Sequence, residues 1–220
     1  MIKPAGIQRS LIGEVIKRFE SIGLKLVALK MLVPTAEKVE QHYTLDSNWR
    51  RVTGEKTIKG YKDKGMTPPT ENPFEITDKL LINLKKYLTS GPVVAMVWEG
   101  AHAVKIIRKL VGGTEPLTSD VGSIRGDYVL DSYEMSDVDD RAIRNLIHAS
   151  GSVPEAEMEV KHWFAPEELF NYRLVQEEIL YDVNLDGILE WLRVENVAVV
   201  EIVWLIKSSS QGMTSLRYAM

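Results

Sequence analysis

The sequence predicts an α/β fold: an α+β sandwich with a ferredoxin-like βαββαβ core, in which helices pack on an antiparallel sheet. Apolar runs of strand type, residues 24–33 and 93–98, alternate with segments whose apolar side chains recur at helical spacing. Hydrophobic residues make up 45% of the 220 residues and charged residues 26%, which is enough apolar material for a real core. The order of the elements fits this core with extra helices.

The first half of the chain begins with the end of a strand at residues 2–3, closed by Pro4. The helix after it has apolar residues at 11, 12, 15, 16 and 19, and Gly23 is a stop signal. Residues 24–33 then predict a strand, and Thr35 caps a short helix that runs to Tyr43. Residues 47–76 are rich in proline, glycine and charge, which indicates a long loop or insertion.

The second half begins with a helix that opens at Asp78, followed by a strand at residues 93–98 and a helix at 100–111. Residues 126–130 predict a further strand, and the acidic residues 131–141 a second insertion. Ser152 and Glu155 fit a capping box for a helix over residues 153–164. We expect one domain over residues 1–175 and a C-terminal extension over 176–220, with a strand-like piece at 197–206.

Composition excludes several classes of protein. The net charge of −4 provides no overall attraction to nucleic acid or membrane. The absence of cysteine excludes disulfides and thiolate nucleophiles and fits a reducing compartment. No signal peptide and no apolar run of about 18 residues is present, so we expect a cytoplasmic protein without a membrane span. The four histidines are not at metal-ligand spacing.

The stretch 145–152 is the strongest candidate for chemistry. It places His148 among small residues directly before a helix start, on a predicted tight turn. Lys3, Arg108 and Arg125 also lie next to turn signals, and together they would form a pocket for a polyanion such as phosphate. A neutral imidazole is a competent nucleophile when its second nitrogen donates to an acceptor.

The motifs resemble those of the nucleoside diphosphate kinase family, in the family's order, from residue 2 to about 172. The matching runs are KPAGIQR at 3–9, GEVIKRFE at 13–20, QHY at 41–43, SGPVVAMVWEG at 90–100, SIRGD at 123–127, NLIHAS at 145–150 and WFAPEEL at 163–169. The resemblance implies that a nucleoside triphosphate such as ATP phosphorylates His148 and that a diphosphate such as GDP takes the group back.

The resemblance also assigns roles. Glu159 orients His148, and Ser150 lies beside it. The residues expected to bind nucleotide are Lys3, Tyr43, Leu80, Arg108, Thr114, Arg125 and Asn145. Mg²⁺ arrives with the nucleotide, without protein ligands. Family members are homo-oligomers, hexamers or tetramers built from dimers, and the loop that carries Pro116 matches one that supports such assembly.

The chain departs from the family pattern at several positions. Ala5 and Gly151 stand where the family usually has Asp, and Leu80 stands where an aromatic residue stacks on the base, with Tyr61 or Phe74 as alternatives. The family's first strand also begins several residues earlier than Met1. We expect the changes at Ala5 and Gly151 to alter the support of the site and not to remove its chemistry.

Other interpretations remain open at this stage. His148 could be a buried structural histidine, Arg108 and Arg125 surface ion-pair residues, and Tyr43 a packing residue. The basic insertion, with Trp49 and Tyr61, could bind nucleic acid, although a solvated flap near the nucleotide is favoured; its basic residues are Arg50, Arg51, Lys56, Lys59, Lys62 and Lys64.

Three acidic residues of the second insertion, Asp137, Asp139 and Asp140, could bind a cation, although a solvated acidic loop is favoured. The other histidines, His42, His102 and His162, are expected to be structural or solvated. The alternative function is that of a catalytically weak homologue acting as a regulatory or nucleic-acid-binding module.

Overall fold

The computed structural model describes residues 1–63, 65–177 and 218–219. Its helices in these ranges are α1 (Pro4–Gln8), α2 (Ile12–Glu20), α3 (Ala36–Thr44), α4 (Trp49–Asp63), α5 (Pro73–Leu88), α6 (Ala103–Val111), α7 (Ile124–Tyr128), α8 (Tyr133–Val138), α9 (Val153–Trp163) and α10 (Val175–Glu177). Short 3-10 turns lie at Pro116–Thr118 and Pro166–Glu168.

The sheet has the antiparallel strands β1 (Lys25–Leu32), β2 (Val93–Glu99) and β3 (Tyr218–Ala219), with β2 in the middle. Ile2 forms an isolated bridge to Val94 on one side and to Ile147 on the other. Across the sheet the order is therefore β1, β2, the Ile2 segment and the Ile147 segment. This is the strand order of a ferredoxin-like βαββαβ core, and it confirms the predicted fold class.

Strand β3 pairs with β2 on the same edge as Ile2, opposite Trp98 and Glu99. Strand β3 and the Ile2 segment both run antiparallel to β2 on this edge. Together they occupy the position of the first strand of the ferredoxin-like core. The predicted strand at residues 197–206 lies outside the described residues.

Every residue of β2 is buried, so a hydrophobic core covers both faces of the sheet. Val94, Met96 and Trp98 face α2 and α6, where the edge of Phe19 meets the ring of Trp98 at 5.3 Å between centroids. Alternate residues of β2 face Val39 of α3 and Trp163 of α9. Helix α9 is thereby fixed against the sheet, close to the 145–152 stretch.

The predicted strand at residues 126–130 is wrong: α7 occupies Ile124–Tyr128. Ser123 caps this helix by accepting a hydrogen bond from the Gly126 N–H at 3.1 Å. A Cβ at position 126 would lie 2.1 Å from the Asp120 carbonyl oxygen, so the turn closes only with glycine. This local capping outweighs the strand propensity of the Tyr-Val-Leu run.

The two insertions are largely helical, whereas the sequence indicated loops. Helix α4 and the start of α5 form most of the first insertion, and a Cβ at Gly54 would lie 2.2 Å from the Pro73 carbonyl oxygen. Asn72 caps α5 by accepting from the Phe74 N–H at 3.0 Å, so this helix starts five residues before the predicted Asp78. Among the described residues, no helix is both long and apolar enough to cross a membrane.

Candidate active site

The His148 turn is held against the first residues of the chain. The Met1 amine donates to the His148 carbonyl oxygen at 2.9 Å, and the His148 N–H donates to the Met1 carbonyl oxygen at 2.8 Å. Leu146 has a φ of 66°, a left-handed conformation that costs a non-glycine residue about 1–3 kcal/mol. Gly6 allows this approach, because a Cβ there would lie 2.7 Å from the Ile2 side chain and 3.2 Å from Leu146.

The side chain of His148 is oriented by a carboxylate from α9. Its Nε2 lies 2.7 Å from Glu159 Oε1, and Ser150 Oγ donates to Glu159 Oε2 at 2.6 Å. Burial lowers the pKa of His148 well below 6.5, and the nearby Met1 amine and Lys3 lower it further. The imidazole is therefore neutral, with its proton on the nitrogen that faces Glu159 and a lone pair on Nδ1.

His42, which was expected to be structural or solvated, is buried and lies against the His148 ring. Its ring meets the His148 ring edge to face at 4.6 Å between centroids, and its Nδ1 accepts from Trp163 Nε1 at 3.1 Å. Burial lowers the pKa of His42 to about 3, so it is neutral beside the nucleophile. The sequence did contain a clue to this position, because the Gln41-His42-Tyr43 run is one of the motifs that resemble the family. The resemblance gave His42 itself no role.

One atom from each of His42, His148 and Glu159 lies within 4.8 Å of the others, a grouping that could hold a metal ion. It does not fit Mg²⁺, which takes oxygen ligands in an octahedron and keeps several waters. Glu159 is already bonded to His148 and Ser150. These three residues are therefore poor candidates for a protein-held Mg²⁺ site.

Lys3 and Asn145 are buried beside the nucleophile. Lys3 Nζ donates to Asn145 Oδ1 at 2.7 Å, and Asn145 Nδ2 donates to the Thr114 carbonyl oxygen at 2.9 Å. Burial, together with the charge of Arg125, lowers the pKa of Lys3 to about 7. Thr114 itself is exposed at the end of the loop after α6.

Arg125 is buried, and it donates to four backbone carbonyl oxygens. Its acceptors are Asn145 at 3.1 Å, Gly112 at 3.0 Å, Gly113 at 2.8 Å and Ile147 at 2.6 Å. Burial lowers the pKa of Arg125 to about 10. The guanidinium thus ties the loop after α6 to the His148 turn and places a buried positive charge between them.

Arg108, by contrast, is exposed on α6 and is available to a ligand. Its Nη1 is 3.4 Å from the Ala149 carbonyl oxygen, a long contact next to the nucleophile. Among the predicted cations, it is therefore the one that lies at the surface of the site. Ser150 and Glu159, unlike Arg108, are almost fully buried.

A row of aromatic rings leads from the nucleophile to the first insertion. The Tyr43 ring lies 4.9 Å from the His42 ring and 5.4 Å from the Trp49 ring. Burial raises the pKa of Tyr43, so its hydroxyl stays protonated. Trp49, which was predicted only as part of a possible nucleic-acid patch, is half-buried at the start of α4.

Of the three residues predicted for base stacking, Tyr61 and Phe74 lie in the first insertion and Leu80 lies just after it. Leu80 is partly exposed on α5. Phe74 is exposed and carries the Arg50 guanidinium 5.6 Å above its ring. Tyr61 donates from its hydroxyl to Asp137 at 2.8 Å and thereby joins the two insertions.

The charged insertions are paired with opposite charges. In the first insertion, Arg50 forms an ion pair with Asp78, and Lys62 pairs with Glu71 at 2.8 Å. In the second, Asp140 pairs with Lys79 at 2.9 Å, and Asp139 pairs with Arg141 at 2.9 Å. These contacts favour solvated, internally neutralised surfaces over a nucleic-acid patch or a cation site.

A neutral buried histidine, held at Nε2 by a carboxylate and flanked by cations, is an arrangement that suits a phosphotransferase with a histidine nucleophile. The nucleoside diphosphate kinase family profile matches residues 1–52 and 76–169, and the chain belongs to this family. The gap between the two matched ranges falls within the first insertion.

Relatives and solved structures agree with this assignment. The nucleoside diphosphate kinase of Pyrobaculum aerophilum is 44% identical over 77% of this chain and 94% of its own length, and Homo sapiens nucleoside diphosphate kinase B is 39% identical over 82% and 93%. The crystal structure of an NDP kinase from P. aerophilum matches with a TM-score of 0.73 at 42% identity, covering 77% of this chain and 96% of that chain.

A transition-state mimic of the Borrelia burgdorferi nucleoside-diphosphate kinase, with bound vanadate and ADP, matches with a TM-score of 0.66 at 32% identity, covering 81% of this chain and 92% of that chain. These findings support nucleoside diphosphate kinase activity and not the alternative of a regulatory or nucleic-acid-binding module.

Proposed function

We propose that this chain transfers the terminal phosphoryl group of a nucleoside triphosphate to a nucleoside diphosphate in two steps, through a phosphohistidine at Nδ1 of His148. The observation that carries the proposal is the 2.7 Å contact between His148 Nε2 and Glu159 Oε1. It places the proton on Nε2 and leaves the Nδ1 lone pair for attack on phosphorus.

In the first step, Nδ1 forms a bond to the terminal phosphorus of ATP while the bond from that phosphorus to its bridging oxygen breaks. The electron pair leaves with ADP. Positive charge develops on the imidazole as nitrogen bonds to phosphorus, and the Glu159 carboxylate stabilises it through the Nε2–H. In the second step, an oxygen of GDP attacks the phosphorus and returns the electron pair to Nδ1.

The cations around His148 supply the electrostatic part of the reaction. Lys3 and Arg108 meet the charge of the phosphates, and the Asn145 and Thr114 side chains bind phosphate or ribose. Arg125 contributes a fixed positive charge, and its four carbonyl contacts tie the loop after α6 to the His148 turn. Fixed charges of this kind lower the barrier because they need no reorganisation during transfer.

Tyr43 and Trp49 form the wall on which the nucleoside rests. Their rings lie 5.4 Å apart and continue the row of rings that starts at His148. We assign base stacking to Trp49, with Leu80 of α5 as an apolar contact. Stacking accepts any base because every base has a π-face, so broad nucleotide tolerance follows.

Mg²⁺ is bound to the phosphates of the nucleotide in this proposal. The carboxylates nearest the nucleophile in the described chain, Glu155 and Glu159, are engaged by the Gly151 N–H and by His148 with Ser150. The ion supplies charge neutralisation on the phosphates when it is present. Lys3 and Arg108 would contact other phosphate oxygens of the same nucleotide.

We also propose a homo-oligomer built from dimers, either a hexamer or a tetramer. Strand β1 exposes Leu29 and Met31, and neighbouring Val33 is 61% exposed, an apolar row that is unusual for a free surface. Among the described residues, no strand pairs with the outer edge of β1. Pro116 is buried in the loop expected to support assembly. Light scattering measures the assembled mass.

The remaining proposals concern the organisation and location of the chain. We divide it into a catalytic domain over residues 1–175, with insertions at about 47–76 and 131–141, and an extension over 176–220. A chain without cysteine suits a cytoplasmic location. Expression of a fluorescent fusion in the source cells is the direct test of the location.

The function itself is tested by a two-step transfer. Protein incubated with Mg²⁺ and γ-labelled ATP should gain an acid-labile, base-stable label, which GDP then removes as labelled GTP. The His148→Ala variant should gain no label. A folded wild-type protein that binds nucleotide but never gains the label contradicts the proposal.

A further inference from the structure

Gly151 and Glu155 form a matched pair beside Arg108. The Gly151 N–H donates to Glu155 Oε2 at 2.9 Å. A Cβ at position 151 would lie 2.7 Å from that same oxygen and 3.8 Å from Arg108 Nη1. The Glu155 carboxylate therefore occupies the space that a side chain at position 151 would fill, on the side that faces Arg108.

We propose that Glu155 is the positioning residue for Arg108, and that it provides from helix α9 the carboxylate that the family usually carries at position 151. The inference rests on the proposed function, because Arg108 is the phosphate-binding group in question. Glu155 itself contacts neither the nucleophile nor the reacting phosphate. It acts through the orientation of the guanidinium.

The geometry explains why Arg108 needs such a residue. The Arg108 side chain is exposed and has one long contact, 3.4 Å from Nη1 to the Ala149 carbonyl oxygen. A long side chain held only in this way loses rotamer entropy when it binds a ligand. In this proposal the negative charge of Glu155, which interacts electrostatically with Arg108, restricts the guanidinium before the nucleotide arrives.

Helix α9 keeps the Glu155 carboxylate in place. Ser152 Oγ accepts from the Glu155 N–H at 3.3 Å, and Glu155 lies in the first helical turn, where the helix dipole favours a negative charge. Glu159, one turn later on the same face, carries a like charge. Burial and Glu159 raise the pKa of Glu155, while Arg108 and the Gly151 N–H oppose this. The Gly151 N–H and the capped start of α9 thus hold Glu155 in place.

The first test compares Glu155→Ala and Glu155→Gln with Glu157→Ala, a control on the same helix that points about half a turn away. We expect KM for nucleotide to rise by about tenfold in Glu155→Ala, with kcat within about twofold of wild type. Glu155→Gln keeps an acceptor for the Gly151 N–H and loses the charge, so KM should rise there too. Unchanged KM in both Glu155 variants overturns the proposal.

Two further variants separate positioning from a merely structural role. The double variant G151D/E155A returns a carboxylate to position 151 and should recover most of the KM lost in E155A. In an R108A background, E155A should raise KM no further, because its effect passes through that arginine. A full additional increase in the R108A background overturns the inference.

All of these measurements use the full-length protein. The wild-type protein is first tested for formation of the phosphohistidine. A wild type that gains no label contradicts the proposed function. A wild type that gains the label while KM is insensitive to Glu155 contradicts the present inference alone.

Discussion

His148 Nε2 lies 2.7 Å from Glu159 Oε1, and the other oxygen of the same carboxylate accepts from Ser150 Oγ at 2.6 Å. The carboxylate is therefore fixed on both sides and can hold the imidazole in one tautomer. Burial raises the pKa of Glu159 and lowers that of His148. A neutral imidazole that donates to a carboxylate is the arrangement that frees Nδ1 for phosphorus.

The Glu159→Gln variant tests this arrangement. The amide keeps the size of the side chain but loses the negative charge that stabilises the developing imidazolium. We expect phosphohistidine formation to slow by about 100-fold. Groups that orient a catalytic histidine or transfer its proton change reaction rates by at least this order. Rapid-quench labelling measures the rate, with Glu157→Gln as the matched control. A rate within threefold of wild type would show that Glu159 does not orient the nucleophile.

The pKa of Lys3, lowered to about 7, predicts a pH dependence. Below that pH, Lys3 carries its charge and binds phosphate; above it, the free enzyme loses the proton and the charge. The value of kcat/KM, which reports free-enzyme groups, should therefore fall as the pH rises through about 7. Bound phosphate favours charged Lys3, so the fall in kcat should come at higher pH.

The Lys3→Arg variant is the control, because arginine stays charged over this range. Its kcat/KM should show no fall between pH 6 and pH 9, whatever its absolute value. On the acid side, His148 should remain neutral below its ordinary pKa of 6.5. A wild-type kcat/KM that is flat across pH 7 contradicts the assignment of Lys3.

Trp49 should contribute base stacking. The Trp49→Ala variant removes the ring that lies 5.4 Å from Tyr43, and stacking on an aromatic side chain is worth about 1–3 kcal/mol per base. KM should rise about tenfold for purine and pyrimidine nucleotides alike. Phe74→Ala, an exposed aromatic of the same insertion, is the control and should leave KM unchanged. The opposite pattern would assign stacking to Phe74.

The strands predicted at residues 24–33 and 93–98 and the helix caps could be found from the sequence because they depend on local signals, whereas the proposed site residues rest on the resemblance to the family. The cap at Ser152 and the strand Val93–Glu99 follow from residue type and spacing alone. The helix at Ile124–Tyr128 was missed because its glycine is required by a close approach to Asp120, a contact that spacing does not show.

The position of His42 against His148 could not be predicted either, because it also depends on contacts between distant parts of the sequence. Its partners, Trp163 and His148, lie more than 100 positions away in the sequence and are brought together by packing of α3 and α9 on one face of the sheet. The helical character of the first insertion was missed because α4 is weakly amphipathic and is stabilised by its packing on α5, where Gly54 meets Pro73.

Tyr87 offers a prediction about stability. Its hydroxyl is buried near the Ala5 backbone without a hydrogen bond of good geometry, and Lys3 Nζ lies 5.9 Å from the ring centroid. A buried unsatisfied hydroxyl is unfavourable, so Tyr87→Phe should raise the free energy of unfolding by about 1 kcal/mol. Urea denaturation measures this change. A loss of stability would indicate that the hydroxyl has a partner, such as an ordered water.

The most direct test of the account is to identify the atom of the protein that carries the phosphoryl group. After reaction with ATP and Mg²⁺, phosphorus NMR and base hydrolysis distinguish a phosphate on Nδ1 from one on Nε2. The account predicts one phosphate on Nδ1 of His148, transferable to GDP and absent from His148→Ala. Phosphate on Nε2, or label that persists in His148→Ala, would contradict it.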